Sequence, residues 1–210
     1  MRLMVSWVLA TALTCAGTAS AASNVESLRD GHVVREIRVP QGKTGRYGHS
    51  EVLIHAPLES VRKQILNFGQ YHKMSPEKFR KSRVVKRHPN GETDVYLQFG
   101  TANGMFSFYT LARFSPTRRD GQAEVVEGKQ VEGDVRDANI VWRMEPVNDH
   151  ETLLVCDTLL VPDFYAPQAM IEEELRDSAE KAVVLMRVGA ERQYAEVQKR
   201  RGAAIGSKRP

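Results

Sequence analysis

Closely spaced turn signals divide the middle of the chain into short segments. The signals are Pro89-Asn90-Gly91, Asn103-Gly104, Asp120-Gly121 and Asn148-Asp149. Asn-Gly and Asp-Gly pairs favour the tight turns of β-hairpins. The segments between them are rich in β-branched and aromatic residues, which favour strands. Because strands joined by such short connections pair in antiparallel fashion, this pattern predicts an antiparallel meander.

Seven strands are predicted, and several of them alternate apolar and polar residues. Val95, Leu97 and Phe99 share one face, whereas Tyr96 and Gln98 take the other. An antiparallel sheet with one apolar face needs a cover on that face. The predicted strands are residues 47–55, 82–88, 93–100, 105–114, 122–132, 138–146 and 152–161.

Helical patterns before and after the meander supply the cover. After the first strand, Pro57 suits a first helical turn, and Val61, Ile65 and Phe68 recur at helical spacing. A long helix is predicted over residues 168–193, and about 26 residues span about 39 Å, enough to lie along a curved sheet. The fold class is therefore α+β. The apolar stripe of the long helix is Ile171, Leu175, Ala179, Ala182 and Met186.

The N-terminus has the features of a secretory signal peptide. Arg2 precedes an apolar stretch over residues 3–13, and Ala19-Ser20-Ala21 fits a signal-peptidase site. We therefore expect residues 1–21 to be removed and the mature chain to be exported to the periplasm or the extracellular space. An uncleaved membrane anchor is the alternative, but the apolar stretch is short for a membrane span.

The rest of the chain divides into an extension, one domain and a tail. Residues 22–44 form the extension, residues 45–195 a single domain without an internal linker, and residues 196–210 a basic tail that we expect to be disordered. The tail carries Lys199, Arg200, Arg201, Lys208 and Arg209, and the chain between it and the signal peptide is slightly acidic. The basic isoelectric point therefore comes from the tail and does not indicate that the domain binds nucleic acid. We expect the protein to be a monomer.

Stretches spread across the domain resemble the START-like, Bet v 1-type (SRPBCC) superfamily, and most closely its bacterial polyketide cyclase/dehydrase and coenzyme-Q-binding members. Residues 52–61 read VLIHAPLESV, similar to the entry of that family into its first helix, and residues 67–76 read NFGQYHKMSP. Glu132-Gly133-Asp134 and residues 142–146, WRMEP, complete the likeness. Met74 stands where many relatives carry an aromatic residue, and residues 24–44 have no counterpart.

The resemblance implies a helix-grip fold, in which a seven-stranded curved antiparallel sheet surrounds a long C-terminal helix. It also implies an apolar ligand, such as a lipid, sterol, quinone or polyketide-like molecule, held between sheet and helix for transport. The alternative is that the same side chains fill a solid core. The candidate ligand-binding residues are Leu97, Phe99, Phe106, Phe108, Trp142, Met144, Leu175 and Met186.

A run of cations follows the first helix. Lys78, Arg80, Lys81 and Lys86 belong to a segment, residues 62–88, that contains a single acidic residue after the helix, Glu77. Such a surface could dock on anionic lipid head groups, which would suit a carrier that loads from a membrane. The alternative is a solvated strand edge that carries lysine for solubility.

Signals for catalysis are weak. Asp157 interrupts an apolar strand and would be an acid/base candidate with a raised pKa if it faced inward, and His55 is a similar candidate. No histidine pair has metal-ligand spacing, and no phosphate or dinucleotide motif is present in the sequence, so we expect no metal and no cofactor. A binding protein is the favoured interpretation over a cyclase or aromatase acting in the same cavity, or an interaction module without a ligand.

Overall fold

A curved sheet and one long helix dominate the computed structural model, which describes residues 25–76, 79–101 and 106–206, without the side chains of residues 101, 106 and 202–206. The expected signal peptide and Lys78 lie outside the described residues. The elements are α1 (Val25–Arg29), β1 (Val34–Arg38), β2 (Tyr47–Ile54), α2 (Leu58–Leu66), a 3-10 turn (Phe68–Gln70), α3 (Tyr71–Met74), β3 (Phe79–Arg87), β4 (Thr93–Thr101), β5 (Phe106–Phe114), β6 (Arg118–Asp120), β7 (Ala123–Gly133), β8 (Asp137–Asn148), β9 (Glu151–Val161) and α4 (Gln168–Gly206).

All described strands belong to one antiparallel sheet with the order β1-β2-β9-β8-β7-β5-β4-β3, and β6 pairs with β7. The order contains the predicted meander, and β2 joins it by pairing with β9. The α+β helix-grip prediction is confirmed. The sheet has nine strands rather than seven, because β1 and β6 add to the predicted set.

The additional strands have no apolar pattern that would reveal them. β1 reads VREIR, and all three residues of β6 are exposed. β1 pairs along the edge of β2, and its Arg35 side chain contacts Glu173, Asp177 and Glu180 of α4. Backbone pairing and ion pairs therefore place part of the extension, residues 22–44, in the fold.

The predicted hairpin turns owe their geometry to glycine. In the turn between β3 and β4, Gly91 has a φ of 86°, a left-handed conformation that glycine adopts without a steric penalty. The Gly91 amide donates to the His88 carbonyl at 3.0 Å, which closes the turn. Gly121, between β6 and β7, has a φ of 64°.

α2 and α4 cover the concave face of the sheet. Val61 and Ile65 of α2 and the adjacent Phe68 are buried, as the helical spacing predicts, and Leu175 and Met186 of α4 are buried as well. α4 lies very close to β2, since a Cβ atom placed on Gly48 would be 2.0 Å from the Leu175 carbonyl oxygen. Only glycine permits this approach of helix backbone to strand.

The described part of the predicted tail, residues 196–206, is helical where the sequence predicted disorder. α4 continues to Gly206, well past the predicted end at residue 193. The added segment contains Ala, Glu, Gln, Lys and Arg, which have high helix propensity, and a helix already nucleated by packing extends at little cost. Residues 195–201 are exposed, so they project beyond the packed body.

The convex face carries a second, smaller apolar cluster. Leu28 of α1 packs there with Leu53, Leu153 and Val155 of β2 and β9. α1 therefore covers the outer surface of the sheet at this end. None of the helices in the described part of the chain combines the length and the apolar character that a membrane span needs.

Candidate functional site: a cavity beneath the long helix

A cavity of about 330 Å³ lies between the concave face of the sheet and α4. Ligand sites in proteins commonly have volumes of about 300–1,000 Å³. The walls come from α3, β3, β4, β5, β7, β8 and β9, from the loop after β9 and from α4, and they are mainly apolar. In addition to predicted residues, the lining includes Phe79, Ile140, Leu159, Ile171 and Leu185.

Six of the eight candidate ligand-binding residues lie on the wall of this cavity. Strand alternation brings four of them to the concave face, and α4 contributes the other two from its packed stripe. The six residues are Leu97, Phe99, Phe108, Trp142, Leu175 and Met186.

The other two candidates do not line the described cavity. Met144 is fully buried in the core, two residues beyond Trp142 on β8. At that end of the sheet the core includes Val61 and Ile65 of α2, and Met144 packs in the same cluster. The side chain of Phe106 lies outside the described residues.

The cavity opens beside the loop between β9 and α4. Phe164 and Met170 line the cavity and are nevertheless 54% and 63% exposed, so they form its rim. The Phe164 ring stacks on Phe108 at a centroid distance of 6.1 Å. This loop was not among the predicted site residues, although its adjacent aromatic pair, Phe164-Tyr165, between Pro162 and Pro167 was an available signal.

Most polar groups in the wall are occupied by protein partners. The Thr110 hydroxyl donates to the Glu132 carbonyl at 3.3 Å, and the Asn139 amide donates to Glu127 and to the Gly128 carbonyl, each at 3.1 Å. The Tyr71 hydroxyl donates to a backbone carbonyl, and burial raises the pKa of this phenol. Among the described lining residues, the Thr158 hydroxyl and the Trp142 indole have no hydrogen-bond partner.

Asp157 lies on the opposite, convex face of the sheet. It therefore does not face inward, as a catalytic role in the cavity would require. In β-sheet register it faces His49, whose Nδ1 is 2.9 Å from its Oδ1. Arg38 of β1 donates to both of its carboxylate oxygens, at 2.9 and 2.8 Å. Burial alone would raise the pKa of Asp157, but hydrogen bonds from His49 and Arg38 outweigh it and the pKa is lowered.

His49 occupies the centre of this ion-pair network. Its Nε2 is 2.8 Å from Glu51, on the side opposite Asp157, and the side chain is almost fully buried. Burial would lower the pKa of His49, but its hydrogen bonds to Asp157 and Glu51 raise it above the ordinary value. These contacts join β1, β2 and β9 and do not reach the cavity. The network is a structural feature of the sheet.

His55, the second catalytic candidate, is exposed at the end of β2 that carries α2. Its Nδ1 is 3.3 Å from Glu151, and the pair lines a shallow open groove with Asn148, His150 and Tyr194. This groove is separate from the apolar cavity. Within the described ranges, no three side chains of His, Cys, Asp or Glu are arranged to hold a metal ion.

The basic segment forms the exposed edge strand β3. Arg80, Lys81, Arg83, Lys86 and Arg87 are all exposed. Arg83 lies over the Tyr96 ring, 5.1 Å from its centroid. Arg80 has a partner in the structure, whereas Lys81, Lys86 and Arg87 form no ion pair with a described residue.

Comparison with known proteins places the chain by its fold. No protein-family model and no curated protein sequence matches it. Solved structures do match, and each likeness below covers most of both chains. A START superfamily protein from Mycobacterium smegmatis is 14% identical over 73% of this chain and 99% of its own, with a TM-score of 0.59. A STAR-related lipid transfer protein from Xanthomonas axonopodis is 15% identical over 75% of this chain and 93% of its own, with a TM-score of 0.62. Human StAR-related lipid transfer protein 5 is 12% identical over 82% of this chain and 95% of its own, with a TM-score of 0.60. Likenesses at these identities show that the chain has the START/Bet v 1-like fold.

Proposed function

We propose that this protein is an exported binding protein that encloses an apolar small molecule between its sheet and α4, for transport or sequestration. The cavity carries the proposal, because its walls are apolar and its volume, about 330 Å³, suits a small ligand. Structural neighbours that are named lipid transfer proteins support the same ligand class, which includes lipids, sterols, quinones and polyketide-like molecules.

A cavity-filling substitution tests the proposal. Ala182 lines the cavity, so Ala182→Phe should occupy ligand space and lower the affinity for a neutral hydrophobic dye about tenfold or more. Ala195→Phe, on the exposed part of the same helix, is the matched control and should bind the dye as the unmodified protein does. If the unmodified protein retains no apolar molecule in native mass spectrometry and binds no dye, the proposal is wrong.

The geometry does not favour the enzymatic alternative at its candidate residues. Asp157 is held in ion pairs on the convex face, and His55 is exposed beside a separate groove. Neither residue can act on a molecule inside the cavity. Binding therefore remains the better-supported function, although the solved neighbours also include a di-domain aromatase/cyclase, StfQ, with a TM-score of 0.51.

Export is a second part of the proposal, and it depends on the N-terminal sequence. The positive residue, the apolar stretch and Ala19-Ser20-Ala21 support removal of residues 1–21. Mass spectrometry of the protein recovered from a cell fraction outside the cytoplasm should show a chain that begins at Ala22. A chain that retains Arg2 in the cytoplasmic fraction would contradict export.

We also propose that the basic edge strand docks transiently on anionic membranes. Lys81 and Lys86 are exposed and form no ion pair with a described residue, although Asp94 lies opposite Lys86 in the β-ladder, so they are available to lipid head groups. Each cation contributes about 1 kcal/mol near an anionic surface, so Lys81→Glu with Lys86→Glu should weaken vesicle binding by roughly thirtyfold or more. The same double reversal at Arg118 and Arg119, exposed on β6, is the matched control. Equal losses in both variants would contradict docking through β3.

A further inference from the structure

The charge of the cavity wall restricts what the cavity can hold. Among the described lining residues there is no lysine, arginine or histidine, and Glu174 is the one carboxylate. A carboxylate or phosphate group buried there would have no counter-charge, and burial of an unpaired charge is strongly unfavourable. Glu174, at the exposed start of α4, would repel an anion that approaches.

One hydroxyl on the floor of the cavity is available to a ligand. Thr158 lies on β9, which is flanked by β2 and β8, and it pairs with Gly48 and Ile140. Gly48 and Ile140 both face α4, so Thr158 faces the helix as well. Its half-buried state therefore reflects surface open to the cavity, and its hydroxyl has no hydrogen-bond partner among the described residues.

An indole donor lies on the neighbouring strand. Trp142 pairs with Cys156, two residues from Thr158 on β9, so Trp142 and Thr158 are diagonal neighbours on the concave face. Trp142 lines the cavity and is 1% exposed, and its Nε1 finds no hydrogen-bond partner in the part of the chain that is described. The Nε1 atom has almost no accessible surface, so a ligand oxygen in the cavity does not reach it, and Trp142 contributes its aromatic ring to the wall beside Thr158.

We infer that the ligand is a neutral molecule with an apolar body and one oxygen function, a hydroxyl or a carbonyl, that the Thr158 hydroxyl receives. The inference rests on the proposed binding function and narrows it, because it excludes ligands that carry a carboxylate or phosphate inside the cavity. The absence of cationic side chains among the described lining residues sets the exclusion, and the Thr158 hydroxyl sets the position of the oxygen.

Matched ten-carbon probes test this inference on the full chain. Decanol, decanoate and decane compete against the neutral dye N-phenyl-1-naphthylamine, at about pH 8, where a carboxylic acid is ionised. Decanol should displace the dye at a concentration about tenfold or more below that of decanoate, and several-fold below that of decane. Glu174→Gln should improve decanoate binding, whereas Glu196→Gln, an exposed position further along α4, should leave it unchanged.

A hydroxyl deletion locates the oxygen contact. Thr158→Val should remove most of the advantage of decanol over decane without a change in decane binding, and Thr158→Ser should retain that advantage. Thr110→Val is the control, because the Thr110 hydroxyl already donates to the Glu132 carbonyl. If Thr158→Val does not fold, the contact is read in the unmodified protein from a change in Trp142 fluorescence with decanol that decane does not produce.

The outcomes separate the inference from the proposed function. Displacement by decanoate as effective as that by decanol would overturn the inference and leave the binding function intact. Equal binding of decanol and decane in the unmodified protein would overturn the oxygen contact. Failure of the protein to bind the dye or any of the three probes would overturn the proposed function as well.

Discussion

Among single residues, His49 shows how the sheet accommodates buried charge. The imidazole contacts Asp157 and Glu51, and Arg38 supplies a second cation to Asp157. Glu36 of β1 faces the same ring at 3.9 Å. Because three acidic side chains surround one histidine and one arginine, the protonated imidazole is favoured in the folded state.

The stability contributed by His49 should depend on pH. Its pKa is raised in the folded protein, so its contribution is complete below the ordinary histidine value, about 6.5, and is lost as pH rises through the folded-state pKa. The lowered pKa of Asp157 has the opposite effect, and its contribution is lost as pH falls below the ordinary aspartate range. We expect His49→Gln to lower the free energy of unfolding by about 2 kcal/mol near pH 5, and by less near pH 8.5.

Urea unfolding at the two pH values measures this difference. His55→Gln, which replaces an exposed histidine, is the control and should change the free energy of unfolding little at either pH. A loss for His49→Gln that is constant or larger at the higher pH would contradict the assigned direction.

Strand alternation was sufficient to predict which residues point together, but not which face is covered. Leu97, Phe99 and Trp142 reach the cavity because a strand places every second side chain on one face. Asp157 required more than alternation, since the Arg38 side chain reaches its outward-facing carboxylate from the edge strand β1. The alternation of residues within one strand cannot reveal a partner such as Arg38, which lies far away in the sequence.

At the level of elements, the contact between α4 and β2 fixes the position of the helix. The close approach at Gly48 leaves no room for a side chain, while further along β4, β5 and β8 the helix stands away from the sheet and the cavity begins. The helix is thus packed directly against one side of the sheet and spans an open space on the other.

Substitution of Gly48 should disturb this contact. Gly48→Ala places a methyl group 2.0 Å from the Leu175 carbonyl oxygen, so α4 must shift and we expect a loss of about 3 kcal/mol or more in unfolding free energy. Gly69→Ala is the matched control, because nothing lies within 4 Å of the added methyl group. Equal stability of the two variants in urea unfolding would contradict the described packing.

The strongly patterned elements were predictable and the weakly patterned ones were not. The meander and the amphipathic part of α4 follow from turn signals and helical spacing, which report local physics. β1 is held by its ladder and by Arg35, which are long-range contacts. The end of α4 is helical because the helix propagates from its packed section, and the composition of the tail alone does not reveal this.

For the molecule as a whole, α4 combines a packed section with a projecting one. Ala190 is fully buried and Tyr194 is half-buried, whereas residues 195–201 are exposed. The Gln193 side chain donates to Gln64 of α2 at 2.9 Å. The boundary of the packed section therefore lies near residue 195.

The volume of the cavity could not be predicted from the sequence, because it depends on how side chains from distant strands fill the space together.

Truncation should locate that boundary. A chain that ends at Ala195 keeps every buried residue among those of α4 whose side chains are described, and it should retain its Tm within about 2 °C. A chain that ends at Val188 loses Ala190, the Gln193 hydrogen bond and Tyr194, and its Tm should fall by roughly 5 °C or more. Differential scanning calorimetry distinguishes the two, and equal melting temperatures would show that the last turns before residue 195 contribute nothing.

The ion pairs of Arg35 affect where the chain can be shortened. The sequence places the start of the domain at residue 45, but removal of the residues before it would uncover the edge of β2, which β1 now occupies. Unpaired strand edges promote association between molecules. The same cut would leave Glu173, Asp177 and Glu180 without Arg35, three neighbouring carboxylates that repel one another. A recombinant protein trimmed at this point should therefore aggregate, whereas one that begins at Ala22 should remain monodisperse.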